Sequence, residues 1–278
     1  MNKGIVLLAQ NNDTDNYVEQ SIALAMSAKK FNDISFTLIT NDKVPAKYTK
    51  YFDNIQPISW GDMAEDKAWK IENRWKVFHQ SPYKETIVMD TDMLILKNID
   101  YMWDFYSNYD LFFTTNPVTY RNEPIISDYY RKMFTENNLP NIYSALYYFK
   151  RTEFTHNFFS YLEMVIKHFD QFQQDLCPNK KQDKLSLDVA IAMTIKLMGI
   201  ENQVTNKNNT VSKFVHMKSF IQNWKSSRAV WQNLVSSHFT NNLDLYIGNY
   251  KQTNIFHYTE KDFLKNANVI EQLETHNV

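Results

Sequence analysis

The chain has 278 residues, 30 Lys and Arg against 31 Asp and Glu, a formal charge of −1, one cysteine and four glycines. A chain of this length can bury roughly three quarters of its unfolded surface, so one large domain or two coupled lobes is expected without disulfide staples. Cys177 alone excludes a disulfide framework and a cysteine zinc cage. The near-zero charge excludes a globally basic nucleic-acid binder, and Gly4, Gly61, Gly199 and Gly248 are too scattered for a glycine-rich phosphate loop.

The opening MNKGIVLLAQNND carries an apolar run too short for a signal peptide. The best apolar window, 189–200, holds Lys196 and Gly199 and falls short of the roughly 18 to 20 residues of a membrane span. No span is expected, and the cytoplasm is the expected location. Gly4 to Ala9 reads as a buried strand that stops at the polar loop Gln10-Asn11-Asn12-Asp13. Val18, Ile22, Ala25 and Met26 recur at helical spacing over 17–31. Strands follow at 34–40 and 55–58, then a helix over 68–79 and a strand over 86–89. This alternation predicts a mainly parallel, helix-covered α/β sheet in the first half.

Further on, 110–115 and 143–150 read as strands around an irregular stretch, 116–140. Helices are predicted over 154–170, with an aromatic face, and over 186–198, with Leu187, Ala190, Ile191, Thr194, Ile195 and Met198 on one side. Between them, 171–184 is polar, contains Pro178 and three lysines, and reads as a long loop. Trp60, Trp69, Trp75 and Trp103 read as core or interlobe residues.

The sharpest local feature is TIVMDTDMLIL, in which Asp90 and Asp92 interrupt an apolar run. Burying an unpaired carboxylate costs several kcal/mol, so a cation is expected beside them. At the carboxyl end of a strand in an open α/β sheet, a bound divalent ion is the natural partner. Oxygen ligands without thiolates describe Mg²⁺ or Mn²⁺.

The strand ending in a polar loop, the strand-helix alternation and the Asp-Thr-Asp after a later strand resemble the GT-A fold of nucleotide-sugar glycosyltransferases. The closest resemblance is to the retaining family 8 type that includes glycogenin and bacterial galactosyltransferases. It implies one GT-A domain over 1–278. Residues 1–115 would form a nucleotide-binding α/β half ending after the Asp-Thr-Asp, and 116–278 a donor and acceptor half with a C-terminal acceptor-side subregion. It also implies that Ala9, Gln10 and Asn11 hold nucleobase and ribose. Arg74 in WKIENRWKVF, with Lys70 one turn earlier, would be the basic residue near sugar or phosphate. Asp90 would bridge metal and ribose, and Asp92 would ligate the metal.

The family's third metal ligand is a histidine in a His-aromatic-x-Gly-x-x-Lys stretch. Here IFHYTEKDF offers His257 and Lys261, with the glycine absent and the lysine two positions early. His216 in FVHMKSF is the other candidate ligand, with Lys218 beside it to grip a phosphate. Tyr143-Ser144-Ala145 stands where the family has an Asn-Ser-Gly motif that contacts the donor sugar, and departs from it at two of three positions. Asp188 in LSLDVAIAM matches a residue near the anomeric carbon; compensation of the helix dipole is its other reading, with Ser186 at the N-cap position.

From Asn202 to Leu243 the chain has Lys207, Lys213, Lys218, Lys225 and Arg228 and no Asp or Glu, interleaved with Phe214, Phe220, Trp224, Trp231 and Phe239. Such a segment suits either a solvated surface or an anion-binding face, with Trp224 and Trp231 available as an acceptor platform. The wealth of Asn, Lys and Ile is the bias of AT-rich coding sequence and points to an AT-rich microbe or a virus. Together these resemble phage enzymes that glycosylate or arabinosylate hydroxymethylated cytosine in DNA. The expected function is therefore metal-dependent transfer of a sugar from a nucleoside diphosphate donor, UDP-linked first, to an acceptor hydroxyl, with DNA docked along 202–243. A polysaccharide, lipopolysaccharide or protein acceptor is the alternative. So is a non-catalytic nucleotide- or nucleic-acid-binding module. No residue pattern speaks to oligomeric state.

Overall fold

The structure is a computed structural model that describes residues 2–68, 70–125, 131–218 and 230–276. The first half holds strands β1 (Lys3–Leu8), β2 (Phe36–Ile39), β3 (Asn54–Gln56), β4 (Glu85–Met89), β5 (Met93–Ile95) and β6 (Leu111–Thr114). Between them lie helices α1 (Tyr17–Lys29), α2 (Val77–Gln80) and α3 (Asp100–Tyr106). Then come α4 (Lys132–Glu136), β7 (Tyr143–Lys150), α5 (Glu153–Lys167), α6 (Phe169–Leu176), α7 (Leu187–Met198) and α8 (Glu201–Val204). The chain continues through β8 (Phe214–His216), β9 (Ser237–Phe239), β10 (Leu245–Ile247), β11 (Tyr250–Lys251) and β12 (Ile255–His257), ending in α9 (Phe263–Asn266) and α10 (Val269–Thr275).

Six strands form the central sheet in the order β3-β2-β1-β4-β7-β6. β1 pairs in parallel with β2 and β4, and β2 with β3, whereas β7 runs antiparallel to both β4 and β6. Both faces are covered, which explains the continuous apolar runs of β1 and β4. Ile5 and Leu7 pack with α1 on one face, and Val6 and Leu8 pack with α5 and α7 on the other. Gly4 is required by close approach: a Cβ there would overlap the ring of buried Tyr83. A second sheet, β5-β12-β8, and a third, β11-β10-β9, follow. No described helix is long and apolar enough to cross a membrane.

Three expectations need correction. The helix predicted over 68–79 is confined to a 3₁₀ turn at Arg74–Lys76 and the four residues of α2. Within the stretch, Ile71 N donates to the Glu72 carboxylate at 3.2 Å, and Arg74 N and Lys76 N donate to the carbonyls three residues back, Ile71 O at 2.9 Å and Asn73 O at 3.0 Å, so tight turns replace the bonds of a regular helix. Lys70 is therefore not one turn before Arg74; its Nζ donates to the carbonyls of Ala64 and Glu65. Trp69 lies outside the described residues.

The loop expected over 171–184 begins as helix, because α6 turns Phe169 and Gln173 inward. Gln173 then ties the following turn by exchanging hydrogen bonds with the backbone of Gln182. Of the tryptophans expected in the core, Trp75 and Trp103 are buried and Trp60 is not. Trp60 is 65 % exposed, with φ 55°, and stacks on Trp75 at 5.9 Å, whereas Trp231, for which a platform is one of two readings, is fully buried and donates from Nε1 to Tyr258 O at 2.7 Å. Phe214 is core as well, and Phe220, Trp224, Lys225 and Arg228 lie outside the described residues.

Candidate active site

The central and second sheets meet at Asp90-Thr91-Asp92. β4 ends at Met89 and β5 starts at Met93, so these three residues cross from one sheet to the other. Asp90 N donates to Ala145 O of β7 at 2.9 Å, Thr91 Oγ1 to Gln20 of α1 at 3.0 Å, and Tyr258 N to Asp92 O at 3.1 Å. Strand pairing in the second sheet then fixes who stands beside Asp92. His257 is opposite Met93 across the antiparallel pair and beside His216 across the parallel pair.

One ligand atom each from Asp90, Asp92 and His257 lies within 4.8 Å of the others. Asp92 Oδ2 is 3.2 Å from His257 Nε2 and 2.7 Å from Lys261 Nζ, and Asp90 Oδ1 is 3.4 Å from Arg74 Nη1. Burial works to raise both carboxyls. At Asp92 the charges of Lys261 and His257 outweigh it and hold the group well below the usual carboxylate range. At Asp90 burial prevails over Arg74, and Asp92 adds to it, so that carboxyl is raised. A dication between them would relieve this repulsion, and two carboxylates with one imidazole are a donor set that Mn²⁺ or Mg²⁺ accepts.

Two cavities open at the carboxyl end of the parallel strands, where open α/β sheets bind ligands. The larger, about 870 Å³, is lined by Arg74, Asp90, Asp92, Asp188, Lys218 and His257 among others, with Lys261 and His216. The smaller, about 170 Å³, adjoins Gln10, Tyr17, Lys70, Arg74, both aspartates and Lys261. Of the three residues expected at the nucleobase, Gln10 lines this second cavity, held by Asp62 and Asn73. Ala9 is fully buried. Asn11 ties the loop to Asp42 and to Val18 at the start of α1 and lines neither cavity.

Asp188, in the first turn of α7, is fully engaged. Oδ1 accepts from Ser144 N at 2.8 Å and from Ser144 Oγ, and Oδ2 pairs with Arg131 Nη1. Burial opposes its ionisation, but Arg131 and then Ser144 prevail, and the carboxyl is held below its ordinary value. Arg131 was not singled out in the sequence. It is 2 % exposed, sandwiched between the rings of Phe134 and Tyr143, and bonded to Asn141 and to Ile142 O. Its carboxylate partner lies 57 residues on, so no local pattern marks it.

No protein-family model matches the sequence, and no curated protein matches it. Solved structures do. The galactosyltransferase LgtC, in complex with donor and acceptor sugar analogs, aligns over 98 % of this chain and 95 % of its own, at 11 % identity and a TM-score of 0.52. Mouse xyloside xylosyltransferase 1, apo form, aligns over 94 % and 98 %, at 8 % identity and 0.52. The glycosyltransferase GlyE of Streptococcus pneumoniae TIGR4 aligns over 75 % of this chain at 11 % identity and 0.42, and this chain spans 46 % of its length. Sheet order, covered faces and full-length alignment agree: the chain has the GT-A glycosyltransferase fold.

Proposed function

We propose that the chain transfers a sugar from a nucleoside diphosphate donor to an acceptor hydroxyl with the help of Mn²⁺ or Mg²⁺. The observation that carries this reading is the Asp90, Asp92 and His257 cluster at the wall of the larger cavity, in a chain of this fold. Arg74 supports it: its Nε is buried and has no hydrogen-bond partner among the described residues, as expected of a donor awaiting a ligand oxygen. When bound, the metal would neutralise charge building on the leaving diphosphate. Lys261 and Arg74 grip the diphosphate from either side, and Gln10, in the loop with Ala9 and Asn11, orients the nucleoside, UDP being the first candidate. Asp90 reaches the ribose, Lys218 a phosphate, and Asp188, fixed by Ser144 and Arg131, the donor sugar near its reacting carbon. Residues 1–115 thus serve the nucleotide and 116–278 the sugar and acceptor. We read the transfer as retaining, after family 8, and its place as the cytoplasm.

The test is thermal unfolding with UDP and Mn²⁺. At a hundred times its dissociation constant a ligand adds about 2.7 kcal/mol, so a rise in Tm that requires both components is expected. No shift with any nucleoside diphosphate, with or without metal, overturns the reading.

The acceptor is proposed to be hydroxymethylated cytosine in DNA, docked along 202–243. Lys218 at the cavity and half-exposed Lys213 support this, while Phe214 and Trp231 are spent on the core. Lys207 already pairs with Glu201 at 3.2 Å. DNA affinity should fall steeply with salt, and Lys218→Ala should reduce the slope by about one phosphate contact. No binding at low salt removes DNA in favour of a saccharide or protein acceptor.

A further inference from the structure

The turn that leads into α7 is polar and carries Lys180, Lys181 and Lys184 against one acid, Asp183. Such a stretch is ordinarily a loose surface loop, but two buried amides hold this one. Asn137, 4 % exposed at the end of α4, spends its side chain on the turn. Its Oδ1 accepts from Asn179 N at 3.0 Å and from Lys180 N at 3.2 Å, and its Nδ2 donates to Lys180 O at 2.7 Å. Gln173 of α6, equally buried, accepts from Gln182 N at 2.7 Å and donates to Gln182 O at 3.0 Å. The backbone on both sides of Lys181 is thus pinned from the interior. The consequence is placement: residues 181–188 all line the larger cavity, as does Lys218 two residues past β8, whereas Lys180 does not.

At about 870 Å³ this cavity stands at the upper end of the roughly 300 to 1,000 Å³ of small-molecule sites. In the reading given above the nucleoside takes the smaller cavity, so the larger one has room for an acceptor beside the donor sugar. The segment 202–243 by itself offers that acceptor few cations, because Lys207 is paired with Glu201. We propose that Lys181 and Lys184 grip backbone phosphates of the DNA acceptor, so that the strand is held at the cavity by two segments distant in the chain, this turn and Lys218. The inference rests on the DNA reading given above and adds two phosphate contacts to the one at Lys218. Asp183 and Glu260 line the same cavity, so the attraction is local to the ammonium groups and is no broad basic field.

The test is the salt dependence of duplex binding by the full chain, read by fluorescence anisotropy with a labelled duplex containing hydroxymethylated cytosine. Wild type, the double variant Lys181→Ala with Lys184→Ala, and Lys180→Ala are compared. Each phosphate contact contributes about 0.9 to the slope of log affinity against log salt, so the double variant should lose about 1.8 and Lys180→Ala nothing. All three lysines are exposed, and truncating them leaves the fold intact. A measurement on the wild type needs no variant: acetylation mapped by mass spectrometry should slow at Lys181 and Lys184 when the duplex is bound, and stay unchanged at Lys180. An unchanged slope in the double variant, an equal loss in Lys180→Ala, or no protection of Lys181 and Lys184 overturns the role of the turn and leaves the DNA reading standing. No duplex binding by the wild type at low salt overturns the DNA acceptor and this inference with it.

Discussion

Asp92→Asn is expected to lower Mn²⁺ affinity by about 100-fold or more, beyond what even the loss of an outer-shell partner typically costs. Asp92 is the hub of the cluster, since one oxygen receives both Lys261 and His257 and its side chain is only 9 % exposed. The amide removes the charge and one ligand and leaves Lys261 with no carboxylate at 2.7 Å. Lys261 is 30 % exposed, so water softens the cost to the fold. Metal binding should therefore collapse while Tm moves modestly. Calorimetric titration with Mn²⁺, alongside unfolding of the metal-free protein, separates the two. Near-normal Mn²⁺ affinity in Asp92→Asn would place the ion elsewhere.

Asp188→Asn should lower stability in addition to weakening the proposed contact with the donor sugar. The amide can keep a bond to Ser144, but the guanidinium of Arg131, 2 % exposed, loses its carboxylate. Breaking a buried pair by removing one partner costs about 3–5 kcal/mol, a fall in Tm on the order of 10 °C for a chain of this size. Arg131→Met should cost a similar amount, and the double variant Asp188→Leu with Arg131→Met much less than the sum.

The pH dependence gives a second check. The Asp188 carboxyl lies below its ordinary value in the folded chain, so the unfolded state binds the proton first on acidification. The stabilisation is complete above the unfolded carboxyl value of about 3.9 and is lost as pH falls through the folded value. Wild type should lose Tm below about pH 4 more steeply than Asp188→Asn does. Parallel Tm profiles would remove the pair from the stability account.

Part of the site was legible in the chain. Asp90 and Asp92 stand in an apolar run that only a sheet interior explains, and their cost in that setting points to a cation. At IFH two apolar residues precede His257, and β12 ends at that histidine. The stretch 68–76 was not legible, because Ile71 N turns to the Glu72 carboxylate and Arg74 N and Lys76 N bond three residues back, local bonds that override the spacing that suggests a helix. Trp75 and Trp103 are buried as read, but not Trp60: burial depends on what the rest of the chain brings over a side chain, and Trp60 and Trp231 are the same residue type with opposite exposure.

The sequence by itself determined the class of architecture, α/β with apolar strands buried on both faces, and the carboxylates that need a positive partner. These follow from periodicity and from the cost of burying charge, both local properties. Only the tertiary structure decided which cations and imidazoles answer them. Parallel register sets His216 beside His257, antiparallel register sets His257 beside the start of β5, and Arg131 reaches Asp188 from 57 residues away. Such meetings depend on strand order and loop closure, and nothing in a residue's immediate neighbours along the chain encodes them.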